Sequence, residues 1–258
     1  MMKRIGLTIA VTVLVSLMPS TAHATPLFEA SKLKGDLTIS AATSLTDAFS
    51  ELAKQFHKIN KNVKIRLNFG SSSTLVSQIQ SGAPSDIMAS ADLTNLEKLV
   101  ASGNVVVVPK VFARNSMAIA VKPGNPKSVR SIADLANLSF ISLCGKTVPC
   151  GVYAASVLAR AGVMIDESKV TRGIDVKATL SAVANGDADA ALVYKTDVLA
   201  TKKIVVGIDI PIAQNVTAMY GIAPVRGSKN LVTAKAFINF VLSQQGLQIL
   251  KKFGFGRP

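Results

Sequence analysis

Ala41-Ala42-Thr43-Ser44-Leu45-Thr46 lies between the apolar run Leu37-Thr38-Ile39-Ser40 and a segment where Leu45, Ala48, Phe49, Leu52 and Phe56 recur at helical spacing. The run predicts a strand and the spacing an amphipathic helix, so the hydroxyl-rich stretch is a strand-to-helix turn. The pattern then repeats. Val63, Ile65, Leu67 and Phe69 alternate as a second strand, Gly70-Ser71-Ser72-Ser73-Thr74-Leu75 forms a second such turn, and Leu75, Val76 and Ile79 begin a second helix. Asp86 to Ser90 predicts a third strand and Ala91 to Ala101 a third helix. A β-α-β-α-β-α succession of this kind predicts an α/β unit with a largely parallel sheet.

The same alternation continues downstream. Met117 to Val121 predicts a strand, Ser131 to Ala136 a helix, Leu138 to Leu143 a strand, and Gly151 to Ala161 and Val176 to Ala184 two helices. Ala188 to Tyr194 and Ile204 to Val206 predict further strands, Ala218 to Pro224 a last extended run, and Ala234 to Phe253 two helices broken at Gly246. The expected fold is α/β, with two doubly wound lobes joined by hinge segments near residues 115–121 and 218–224 and a ligand cleft between them. Residues 25–116 and 224–258 form lobe 1, and 117–223 form lobe 2. Ligands of open α/β sheets sit beyond the carboxyl ends of the strands, where helix N-termini also lie. Both serine turns therefore face the cleft, and Val148-Pro149-Cys150-Gly151 and Gly173-Ile174-Asp175-Val176 are the matching turns of the second lobe.

The first residues read as an address. Met1-Met2-Lys3-Arg4, the apolar run Ile5 to Met18 and the closing Ala22-His23-Ala24 predict a cleavable secretory signal peptide over residues 1–24. No cysteine precedes the cut, which argues against a lipid anchor, and no later segment has transmembrane length without charge or turn residues. A soluble protein of the periplasm or an equivalent extracytoplasmic space is expected. The formal charge is +14 over 258 residues, and loss of Lys3 and Arg4 would leave +12. The basic residues are scattered, and Trp is absent, so nucleic acid is excluded as a partner, while a positive mean field favours anionic ligands. Cys144 and Cys150 predict a local disulfide in an oxidising compartment. Beyond the leader, His57 is the only histidine, which disfavours a metal site and leaves little for a catalytic triad. There is no Gly-x-Ser-x-Gly elbow either, so an enzyme is not expected.

A buried, multiply charged anion needs many hydrogen bonds, and helix-start N–H groups with serine hydroxyls supply them without a counter-charge. The plainer role for Ser44 and Ser72 is helix capping, and Ser44 with Asp47 resembles a capping box. Their neighbours add to this reading. Ala41 to Ala48, Ser71 to Leu75 with Gln78-Ile79, and Gly82-Ala83-Pro84-Ser85-Asp86-Ile87 are followed by Val148 to Ala154, Asp175-Val176, Ala191 to Asp197 and Phe253-Gly254-Phe255. This ordered set, covering nearly all of the chain after the leader, resembles the molybdate-binding proteins of ABC import systems, within the type II periplasmic binding-protein superfamily.

That resemblance implies a receptor, not an enzyme, that holds molybdate or tungstate between two lobes and delivers it to an ABC permease in the inner membrane. It implies no cofactor, with molybdenum present only as molybdate, and a monomer is expected. Ser44 and Ser72 would donate through hydroxyl and backbone N–H, Cys150 and Val176 through backbone N–H, and Tyr194 through its phenol. Tyr194 could instead be a packed aromatic. The family commonly has Ala at the position of Cys150; use of the N–H alone tolerates the exchange, and a Cys144–Cys150 bond would stiffen the loop. Lys146 and Lys177 are expected near the mouth. The alternative is a receptor for sulfate, thiosulfate or phosphate. Phosphate carries a proton that wants a buried acceptor, and the nearest carboxylates, Asp47 and Asp175, read as helix-start and turn residues. A ferric receptor would favour a tyrosine cluster, and the chain has only Tyr153, Tyr194 and Tyr220.

Overall fold

The computed structural model describes residues 33–201 and 203–258; the leader expected at residues 1–24 lies outside them. The opening turn joins β1 (Gly35–Ala42) to α1 (Thr46–Ile59), and β2 (Val63–Gly70), α2 (Ser72–Gln80), β3 (Ile87–Ser90) and α3 (Thr94–Ala101) follow as the alternation predicts. β4 (Lys110–Val121), β5 (Ile141–Cys144), α4 (Pro149–Ala161), β6 (Val170–Gly173), α5 (Val176–Asn185) and β7 (Ala190–Tyr194) come next. The chain closes with α6 (Lys195–Ala200), β8 (Val206–Asp209), β9 (Thr217–Pro224), α7 (Leu231–Leu242) and α8 (Gln244–Lys252). The α/β reading holds. No helix among the described residues is long and apolar enough to cross a membrane.

The strands form one sheet in the order β2-β1-β3-β9-β4-β7-β5-β6, with β8 paired to β4. The sheet as a whole is mixed, while its first unit, β2-β1-β3, is parallel as expected. β1 runs parallel to β2 and β3, and β5 parallel to β6 and β7, whereas β3–β9, β9–β4 and β4–β7 are antiparallel. Parallel neighbours need a crossover, here supplied by helices such as α1 and α4, whereas β4 and β9 lie between the two parallel sets and run against their neighbours. β4 also changes partners along its length. Lys110 to Ser116 pairs with β9, and Met117 to Val121 pairs with β7 and β8, one along each edge.

Packing explains the helices. α1 buries Ala48, Phe49, Leu52, Ala53 and Phe56 on one face. Phe49 meets Phe112 edge-on at 5.7 Å, and Phe56 meets Phe237 of α7 at 5.2 Å, in the T-shaped geometry that the ring quadrupole favours. On the sheet's other face, Leu75, Val76 and Ile79 of α2 pack with Leu96 and Leu99 of α3 and with Met88. Two local expectations change. Residues Ala133–Asn137 form a 3₁₀ turn in place of the helix expected over 131–136. The helical break falls at Ser243, whose hydroxyl accepts the Gly246 N–H at 3.2 Å and so caps α8. Gly246 is needed there because a Cβ would overlap the Phe240 and Val241 carbonyls.

Candidate functional site

The ends of these strands deliver the singled-out residues to one place. Ser44, Ser72, Cys150, Val176 and Tyr194 all line a single cavity, with Thr43 and Asp175 beside them. It offers about 20 Å³ of room for water-sized occupants. Sites for drug-sized organic ligands run to about 300–1,000 Å³. The space suits a small ion.

Each lining residue reaches the cavity through its local structure. Ser72 is the first residue of α2, and its N–H has no intrahelical partner. It is not the cap: Ser71 is, its hydroxyl accepting the Thr74 N–H at 3.2 Å. The Ser72 hydroxyl instead accepts the Ala91 N–H at 3.0 Å, which leaves its own proton free. Ser44 is not a cap either, since neither the 3₁₀ turn Thr43–Leu45 nor α1 has a side-chain cap. Its hydroxyl lies 2.9 Å from the Tyr220 hydroxyl.

On the other side, Pro149 opens α4 and Cys150 follows it, so the Cys150 N–H is among the unpaired donors of that helix start. The sulfur is bonded to Cys144, with a Cα–Cα separation of 5.7 Å. The loop and helix approach so closely that a Cβ on Gly151 would overlap the Gly145 carbonyl. Val176 begins α5. Asp175 caps it: one carboxylate oxygen accepts the Ala178 N–H at 2.9 Å, and the other accepts the Thr43 hydroxyl at 3.1 Å. Asp175 is therefore both cap and link between the two sides of the cavity. Asp47 lies in the first turn of α1, on a neighbouring groove with Lys252 and Phe253.

Tyr194 ends β7 and is 1% exposed, yet its hydroxyl has no protein hydrogen-bond partner among the described residues. Its ring packs edge-on against Tyr153 at 6.2 Å and Tyr220 at 5.8 Å. The chain's three tyrosines thus do gather in a row, but burial pushes each phenol above its usual range, Tyr153 to about 12, so they stay protonated. Beneath Tyr194, the Asp197 carboxylate accepts the Tyr194 N–H at 3.2 Å, and burial pushes its pKa up to about 8.

No lysine or arginine lines the cavity. Lys146 is exposed and pairs with Glu167 at 3.4 Å, and Lys177 is exposed. Among the described residues no group of three or more His, Cys, Asp or Glu could hold a metal ion. His57 sits near the far end of α1, donating from Nδ1 to the Val63 carbonyl at 2.8 Å. At 1.5 Å per residue, α1 puts it roughly 20 Å from Ser44, so no serine–histidine pair forms.

Sequence reasoning passed over the residues behind Ser44. The Asn115 amide NH2 donates to the Thr196 hydroxyl at 2.8 Å and to the Tyr220 hydroxyl at 3.3 Å. Tyr220 had a readable signal, as the one tyrosine in the extended run 218–224. Asn115 had none, because its partners lie 81 and 105 positions away.

Known proteins resemble this chain to different depths. Residues 37–256 match the family described as bacterial extracellular solute-binding protein. The molybdate-binding protein ModA of Mycobacterium tuberculosis (strain H37Rv) is 33% identical over 86% of this chain and 85% of its own. Two solved structures share the fold. The periplasmic molybdate-binding protein of Azotobacter vinelandii has a TM-score of 0.77 at 22% identity, over 86% of this chain and 99% of its own. The sulfate-binding protein SubI of M. tuberculosis has a TM-score of 0.78 at 19% identity, over 85% and 86%. These relatives are solute-binding proteins, not enzymes. The chain belongs to the bacterial extracellular solute-binding protein family and has the periplasmic binding-protein fold.

Proposed function

We propose that this chain is an extracytoplasmic receptor that binds molybdate, and tungstate with it, as a dehydrated oxyanion and delivers it to an ABC importer. The observation that carries the reading is the cavity itself. Ser44, Ser72 and Tyr194, which carry hydroxyls, and Ser72, Cys150 and Val176, which stand at helix starts, line a space the size of a small ion. Helix N-termini add partial positive charge without a counter-ion. The named relatives that bind molybdate, one of them 33% identical, point to the same ligand class.

Selectivity follows from room and from donors. Sulfate carries the same charge in a smaller shell and leaves some donors beyond good hydrogen-bond distance. Hydrogen phosphate brings a proton that needs an acceptor; each Asp175 oxygen already accepts one hydrogen bond, and Asp47 lies off the cavity. The ligand is cargo, and no cofactor takes part. Lobe 1, residues 25–116 and 224–258, would close on lobe 2, residues 117–223, about β4 and β9, with the Thr43–Asp175 bond spanning the closed cleft. Closure gives the permease a shape by which to distinguish a loaded receptor, at the membrane face of the periplasm, after residues 1–24 are cut away. The receptor acts as a monomer.

Titration calorimetry with molybdate, tungstate, sulfate and phosphate tests the proposal. Tight binding of the first two and weak binding of the others is expected. Sulfate bound as tightly as molybdate would reassign the receptor to sulfate, the ligand named for the SubI neighbour.

A further inference from the structure

We propose that Asn115 and Tyr220 are positioning residues that fix the direction of the Ser44 hydroxyl, so that it faces the ligand as a donor. The inference rests on the oxyanion-receptor reading above and assigns its selectivity to residues that do not line the cavity. The argument starts from an atom whose identity is settled by its partner. The Ser116 backbone N–H, which can only donate, points at the Asn115 side-chain oxygen at 2.9 Å. The other end of that amide is therefore its NH2 group, and this is the end that meets Tyr220 and Thr196.

An NH2 group cannot accept, so the Tyr220 oxygen is the acceptor in that contact. The phenol's own proton then has one remaining partner, the Ser44 hydroxyl oxygen at 2.9 Å. Having received that proton, Ser44 is left to present its own to the cavity it lines. Burial, with the Asp197 carboxylate nearby, holds the Tyr220 phenol well above its ordinary range, so it keeps the proton it passes on. The order runs Ser116 N–H to Asn115, Asn115 to Tyr220, Tyr220 to Ser44, and Ser44 to the ligand. Ser72 is set the same way by a different device, the Ala91 N–H on its oxygen.

The consequence is chemical. Two serine hydroxyls, either of which could in principle turn to accept a ligand proton, are both committed as donors. A fully deprotonated oxyanion offers every oxygen as an acceptor, whereas hydrogen phosphate also brings a proton for which these two hydroxyls, set as donors, are poor acceptors. The chain of bonds also runs along β4 and β9, which carry Asn115 and Tyr220, and reaches Thr196 on α6. The donor order is thus built where the two halves of the sheet meet.

Two substitutions separate this from a packing role. Tyr220→Phe keeps the ring against Tyr194 and Phe255 and removes only the hydroxyl. Asn115→Asp keeps the size and replaces the donor by an acceptor, which draws the Tyr220 proton away from Ser44 and turns Ser44 toward Tyr220. Calorimetric titration at neutral pH with molybdate and with inorganic phosphate reads the outcome. Tyr220→Phe is expected to weaken molybdate by about 3–10-fold and to weaken phosphate less, so that the ratio of the two affinities narrows. Asn115→Asp is expected to lose more than ~10-fold for molybdate and to narrow the ratio further. A purely structural effect would weaken both anions together. A parent selective for molybdate whose two variants keep its ratio overturns this inference alone. A parent that takes neither anion defeats the receptor reading and this inference with it.

Discussion

Tyr194 gives a test in which stability and affinity move in opposite directions. Its hydroxyl is buried and has no protein partner, while its ring packs on Tyr153 and Tyr220. A buried, unsatisfied donor costs about 1–3 kcal/mol, and a hydrogen bond to a charged group contributes about 1.5–3 kcal/mol. Tyr194→Phe keeps the ring and removes the donor. Without ligand, the variant is relieved of the unsatisfied group, and at the lower bound of about 1 kcal/mol its Tm rises by about 2–4 °C for a chain of this size. With molybdate it lacks one charge-assisted bond, and at about 1.4 kcal/mol per tenfold the affinity falls by about 10–150-fold. Differential scanning calorimetry of the ligand-free protein reads the first effect, and titration calorimetry the second. A variant that melts below its parent and binds molybdate as tightly would refute both halves of the reasoning.

Two further perturbations reach other parts of the site. The Cys144–Cys150 bond closes a loop with a sequence separation of 6, for which chain entropy gives about 2 kcal/mol. The Cys144→Ala, Cys150→Ala double variant should therefore melt about 4–8 °C lower. It should hold molybdate within about threefold, because the backbone N–H remains; abolished binding would give the sulfur a direct role. Asp197 carries its proton to about pH 8 when folded, against an ordinary value of 3.8. The folded state then binds more protons than the unfolded one between those values, so its contribution to stability is full below about pH 4 and is lost as pH rises to about 8. Asp197→Asn, which stays neutral and can still accept the Tyr194 N–H, should melt above the parent at pH 8 and show a flatter pH profile. Equal slopes in a series of melts would rule this out.

What could be read from the residues followed from local pattern. The alternation over Val63 to Phe69 and the helical spacing after Ser44 are period signals that need no partner, and they placed the first half of the fold. Short elements lack a period to detect. β6 has four residues and α6 six, and both went unread. The first part of β4, Lys110 to Ser116, owes its extended form to pairing with β9, about a hundred positions away in the sequence. The gathering of Ser44, Ser72, Cys150, Val176 and Tyr194 was legible through resemblance and the rule that helix starts face the cleft. The orientation of their hydroxyls was not. Capping was the local expectation for Ser44 and Ser72, and distant groups, Tyr220 and the Ala91 N–H, override it.

A cavity built from neutral donors cannot cancel the charge it takes in. Its one carboxylate, Asp175, is already committed to Ala178 and Thr43, and no lysine or arginine lines it. A dianion bound there would therefore change the whole particle's charge by two. On the proposed reading, loaded and empty protein would differ in electrophoretic mobility and in the field they project, beyond any difference in shape. On that reading, a permease at the membrane surface would meet loaded and empty forms that differ in charge as well as in shape, within the roughly 8–10 Å that salt leaves unscreened.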